Sequence, residues 1–149
     1  MASEAVGGAA EKCEHPTGEG AMSVVRTVNG WSGVPSSPRE AREGAARLMT
    51  IEDSRSVISA EVWCDALLCT SELVAHAQQF SSAIADCRVT LDRGALDMQI
   101  VCRDARAGAF GWGMSSGWGW MIVERIATSL TVTLLPDGLI WARLLIRLH

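Results

Sequence analysis

The chain has 149 residues, 48% hydrophobic and 20% charged, with 13 basic against 17 acidic side chains and a net charge of -4, which describes one soluble globular domain. An acidic balance with no run of Arg excludes a general nucleic-acid binder, because neutralising phosphates needs a basic face. The longest uncharged run, 107–123, is Gly-rich and shorter than the ~20 apolar residues of a membrane-spanning helix, and the start Met1-Ala2-Ser3-Glu4 lacks the basic and apolar regions of a secretory signal, so the chain is expected in the cytoplasm.

Residues 1–37 read as a flexible tail, dominated by Gly, Glu, Ser, Thr and Pro without a lasting apolar period. Val24, Val25, Val28 and Trp31 interrupt it, and read either as loose packing, as a short strand pairing onto the domain or as a partner contact. The domain is expected over 38–149. It opens at Ser37-Pro38-Arg39-Glu40, where Ser caps, Pro takes the first helical position and Glu follows three residues after the cap. That predicts a helix from Pro38 to about Met49.

A longer helix is expected from about Ser59 to Phe80, because Val62, Ala66, Cys69, Leu73 and Phe80 fall near one 3.6-residue face. The period then drops to two. Cys87, Val89 and Leu91 alternate with Arg88 and Thr90, Asp92-Arg93-Gly94 reads as a hairpin turn, and Leu96, Met98, Ile100 and Cys102 alternate with Asp97, Gln99 and Arg103. A Gly-rich loop over 104–116 leads to a helix from about Gly117 to Thr128. A second hairpin, 130–135 and 139–148 about Pro136-Asp137-Gly138, closes the chain. The order ααββαββ implies an α+β two-layer sandwich with helices on one face of a mostly antiparallel sheet.

Five cysteines (Cys13, Cys64, Cys69, Cys87, Cys102), none in Cys-x-x-Cys spacing, fit reduced and mostly buried thiols better than a disulfide framework or a zinc knot. The aromatic set is skewed to six Trp and two Phe with no Tyr. Three of those Trp crowd into Gly111-Trp112-Gly113 and Gly117-Trp118-Gly119-Trp120, where indole faces stack on a base, make a protein contact or cover the sheet as core.

Three segments, in this order, resemble the ATP-binding boxes of the histidine-kinase-like ATPase superfamily, and within it the small anti-sigma-factor serine/threonine kinases abundant in actinobacteria. Ser71-Glu72-Leu73-Val74-Ala75-His76-Ala77 is similar to that family's Ser-Glu-Leu-Val-x-Asn-Ala box. Val101-Cys102-Arg103-Asp104-Ala105-Arg106 is similar to its Val-x-Asp-x-Gly box, and Gly117-Trp118-Gly119-Trp120-Met121-Ile122-Val123 to its Gly-x-Gly-Leu-x-Leu-Val box. Pro136-Asp137-Gly138-Leu139-Ile140-Trp141-Ala142 is similar to its closing hairpin. The resemblance covers roughly 38–149 and implies the Bergerat-type ATPase fold.

By that resemblance the chain is an ATP-binding anti-sigma-factor-type regulator, a serine/threonine kinase acting on an antagonist protein and sequestering a sigma factor. Glu72 would be the catalytic base toward a serine hydroxyl. His76 would stand at the metal-ligand position, with Asp104 reading the adenine amino group and Gly117, Trp118 and Gly119 forming the phosphate-binding helix start, whose backbone N–H groups favour an anion. The cofactors implied are ATP and Mg²⁺, the partners a sigma factor and an antagonist protein, with a homodimer and neither nucleic acid nor membrane contact.

Three residues depart from the pattern: His76 replaces Asn, Arg106 replaces Gly, and Leu139 stands where the last hairpin often carries Thr. An imidazole nitrogen is a poor ligand for Mg²⁺, which prefers oxygen. The alternative is therefore a degenerate, non-catalytic protein-binding regulator with the same fold.

Overall fold

The computed structural model describes residues 30–103 and 118–149. Eight elements follow in chain order: β1 (Gly30–Gly33), α1 (Pro38–Asp53), α2 (Ala60–Phe80), β2 (Ala83–Asp92), β3 (Ala95–Arg103), α3 (Trp118–Ile126), β4 (Ser129–Leu134) and β5 (Ile140–Arg147). The strands form one antiparallel sheet in the order β1-β2-β3-β5-β4. Gly30–Gly33, within the segment that sequence placed in the tail with a short pairing strand as one reading, make the edge strand β1, with Trp31 opposite Val89. The folded unit thus begins ahead of Pro38.

Helix starts follow their capping chemistry. Ser37 Oγ accepts the Glu40 N–H at 3.3 Å with Pro38 in the first turn, and the Glu40 carboxylate reaches back to Ser36 N and Oγ at 2.8 and 2.6 Å. Ala41, Gly44, Ala45, Leu48 and Met49 make the buried stripe of α1. Ser59 Oγ accepts from Val62 N at 3.2 Å to start α2, which ends where Ser81 N donates to Ala77 O at 3.0 Å. Between β2 and β3, Arg93 (φ 50°) and Gly94 (φ 74°) are both left-handed, the turn whose twist suits a two-residue hairpin.

Alternation places Cys87, Val89, Met98, Ile100, Ala142 and Leu144 on the core face, where they join Leu73, Val74 and Ala77 of α2 and Val123 of α3. The opposite face carries Arg88, Gln99 and Arg143. There Asp97 is only 7% exposed, because Arg143 grips it in a fork: Nε donates to Oδ1 at 3.0 Å and Nη2 to Oδ2 at 2.7 Å. Those hydrogen bonds raise the guanidinium's pKa further. Among the described residues, no helix is long and apolar enough to cross a membrane.

Three of the four described cysteines are buried. Burial, then the Asp65 and Glu72 carboxylates, pushes the Cys69 thiol up to about 12; burial pushes Cys102 up to about 11 against a hydrogen bond from Ser81, and drives Cys87 further still. A thiol reagent at mildly alkaline pH should therefore modify Cys64 rapidly, and Cys69, Cys87 and Cys102 only as the protein unfolds. These groups hold their protons in the native state at pH values where the unfolded chain has lost them. Their contribution is whole below the unfolded thiol pKa of about 8.5 and is lost as pH climbs toward the native values. With no Tyr and one Lys in the chain, urea midpoints measured from pH 7 to 11 should fall mainly through these thiols. A flat profile would contradict the burial.

Candidate functional site at the α2–α3 junction

One turn of α2 separates Glu72 from His76, so both side chains leave the same side of the helix. The α2 core stripe, Ala66, Cys69, Leu73 and Ala77, holds that side at a fixed angle to the sheet. The N-terminal turn of α3 lies against it. Of the residues singled out by sequence, Glu72, His76 and Gly119 are thus brought together. Trp118 is the first residue of α3, though its side chain is outside the description, as are Asp104, Arg106, Trp112 and Gly117.

Gly119 sits flush on the Glu72 carboxylate. A Cβ built at Gly119 would meet Glu72 Oε2 and lie 2.5 Å from Cδ and 3.1 Å from Oε1. Only a residue without a side chain lets the helices approach this closely while Glu72 keeps its place. The carboxylate therefore stands at the first turn of α3, the end where the helix dipole favours an anion.

His76 is 5% exposed. Its ring stacks on the Trp120 indole with centroids 4.0 Å apart and planes 17° from parallel, and tilts against Phe80 at 4.5 Å and 45°. Phe80 follows His76 by four residues on the same helix, a pairing legible in sequence, whereas the Trp120 partner depends on where α3 docks. Trp120 is 4% exposed and belongs to the core together with Val123. Of the three roles open to the indoles, Trp120 takes the packing one.

The donor set does not fit the Mg²⁺ of the resemblance. An imidazole is the wrong donor for a hard cation, and this one is committed to an aromatic stack. Among the described residues, no group of three or more His, Cys, Asp or Glu side chains is placed to hold a metal. A cleft formed by described residues lies elsewhere, a hollow of about 240 Å³ where the chain entering α1 meets the end of α2, lined by Val34, Pro35, Gln78 and Ser81 through Ile84. Set against models of known protein families and against characterised proteins, the chain matches none.

Proposed function

We propose that the chain is a regulator of the anti-sigma-factor type that works by holding a protein partner, a sigma factor or its antagonist, without transferring phosphate. In this proposal it has the histidine-kinase-like ATPase fold and acts on transcription through partner choice, with no contact to DNA. The helix–helix–hairpin–helix–hairpin order supports that fold. The observation that carries the loss of catalysis is His76: the residue at the metal position is buried and stacked on Trp120. Glu72, the base by resemblance, faces the backbone of Gly119, so its carboxylate is turned to a helix terminus.

An ATP-binding kinase is the second reading, and one observation favours it. The first and third boxes, far apart in sequence, meet in space at Glu72 and Gly119, as a shared nucleotide site requires. Titration with ATP, with and without Mg²⁺, followed by intrinsic Trp emission and by calorimetry, separates the two. The non-catalytic regulator should give no saturable signal at millimolar ATP and no ATP hydrolysis. Saturable binding that needs Mg²⁺ and is lost in Asp104→Asn would overturn it in favour of the kinase.

A further inference from the structure

The strand β4 is an edge of the sheet, bonded to β5 on one side. Among the described residues nothing pairs with its other side. Edge strands are ordinarily guarded by charge, Pro, brevity or a covering element, yet Ser129–Leu134 has no charged residue and no Pro, and its Leu134 is 54% exposed. The other edge, β1, has four residues, two of them Gly.

Its sequence reads the same in both directions: Leu130-Thr131-Val132-Thr133-Leu134. In an antiparallel pair related by a two-fold axis, residues at equal distance from the axis face each other. A palindrome is thus the pattern that lets a strand pair with its own copy, like opposite like. With the axis at Val132, Val132 meets the partner's Val132, Leu130 meets the partner's Leu134, and Thr131 meets the partner's Thr133.

The hydrogen-bonding parity agrees. Leu135 N donates to Leu139 O at 2.7 Å, continuing the β4–β5 register. By the alternation of an antiparallel ladder, the main-chain groups of Ser129, Thr131 and Thr133 then face β5, and those of Leu130, Val132 and Leu134 face outward. The axis at Val132 makes these outward residues the hydrogen-bonded pairs. The side chains of Leu130 and Val132 are half-buried against the core, so pairing continues that apolar row across the junction and covers Leu134. Thr131 and Thr133 are exposed on the opposite sheet face and meet as cross-strand Thr pairs.

We infer that β4 is a self-association surface whose occupant is β4 of a second copy, joining two sheets into one through a two-fold axis at Val132. An interface of one short strand makes a weak dimer that depends on concentration. The surface is separate from the α2–α3 junction and does not depend on the ATPase resemblance.

Sedimentation velocity on the full chain, from low micromolar to several hundred micromolar, should show the mass rising from 15.9 kDa toward twice that. Thr131→Glu with Thr133→Glu places like charges opposite each other twice and should weaken the dimer by about tenfold or more. Thr131→Glu with Thr133→Lys places Glu opposite the partner's Lys twice and should restore it. Val132→Pro deletes an outward N–H that β5 does not use, and should also yield monomer. Far-UV circular dichroism and thermal melts verify that each variant is folded. A wild-type chain that stays monomeric, a folded double-Glu variant that dimerises as wild type, or a Glu/Lys variant no better than the double-Glu one would overturn the inference.

Discussion

Trp31→Ala should cost about 3–5 kcal/mol of stability, the range for truncating a buried Trp, and lower the melting temperature by roughly 10 °C or more for a domain of this size. The expectation is large for a residue so near the start of the described chain. Trp31 is 5% exposed, in a four-residue edge strand held by β2. Its ring lies on Gly44 of α1, where an added Cβ would come within 3.2 Å of Cγ and Cδ2. Gly44 is therefore kept in a helix interior, at about 1 kcal/mol relative to Ala, because the indole occupies the space. That gives an internal check: Gly44→Ala should add about 1 kcal/mol of stability to Trp31→Ala, and less to the wild type. A chemical-denaturation cycle measures both. If Trp31→Ala melts within a few degrees of the wild type, β1 is not an integral part of the fold.

Trp31 also marks where sequence left its alternatives open, a short strand pairing onto the domain being one of them. Pro38–Asp53 and Ala60–Phe80 announce themselves through local chemistry, a capping Ser with Pro and Glu at the first start and a sustained 3.6-residue face in the second. The hairpins do so through alternation and their Gly turns. Gly30–Gly33 has none of this. A four-residue strand with two Gly carries no period, and its place is set by pairing with Thr90 through Cys87, residues far along the chain. The Asp97–Arg143 fork is hidden for the same reason. Each residue sits on a legible strand, but their meeting depends on β3 lying beside β5, a long-range fact that alternation does not encode.

The candidate site divides along similar lines. That Glu72 and His76 share a face follows from helix geometry, and Phe80 joins them at the next turn. What they face does not follow. Gly119 reads as a phosphate-binding glycine through the resemblance of the Gly117-x-Gly119 box, at a helix start whose N–H groups favour an anion. The structure gives it another use, close contact with a carboxylate from a neighbouring helix. Both uses exploit the same property, absence of a side chain at the positive end of a helix, so sequence alone did not separate them.

Trp120→Ala is the decisive substitution there. An indole that serves only to stack on a nucleotide base would be dispensable to the empty protein, and its removal would change stability little. Trp120 is 4% exposed, in the core with Val123 and stacked on His76. The expected loss is therefore about 3–5 kcal/mol in the absence of any ligand, read as a lower urea midpoint with unchanged m. The stack itself should appear as a coupling of about 0.5–1.5 kcal/mol in the cycle of Trp120→Ala with His76→Ala, since deleting either ring removes the stacked contact from the other. His76→Asn, which restores the oxygen donor of the kinase box, should be destabilising too, because an amide replaces a ring in an aromatic slot. Measured together, these variants separate two origins for the Trp-rich segment. If Trp120→Ala is neutral and His76→Asn gains a Mg²⁺-dependent ATP response, the junction is a nucleotide site waiting for its ligand. If both destabilise and neither responds to ATP, the residue that the resemblance sets at the metal position, His76, serves packing instead, and its stack on Trp120 clamps α3 to α2.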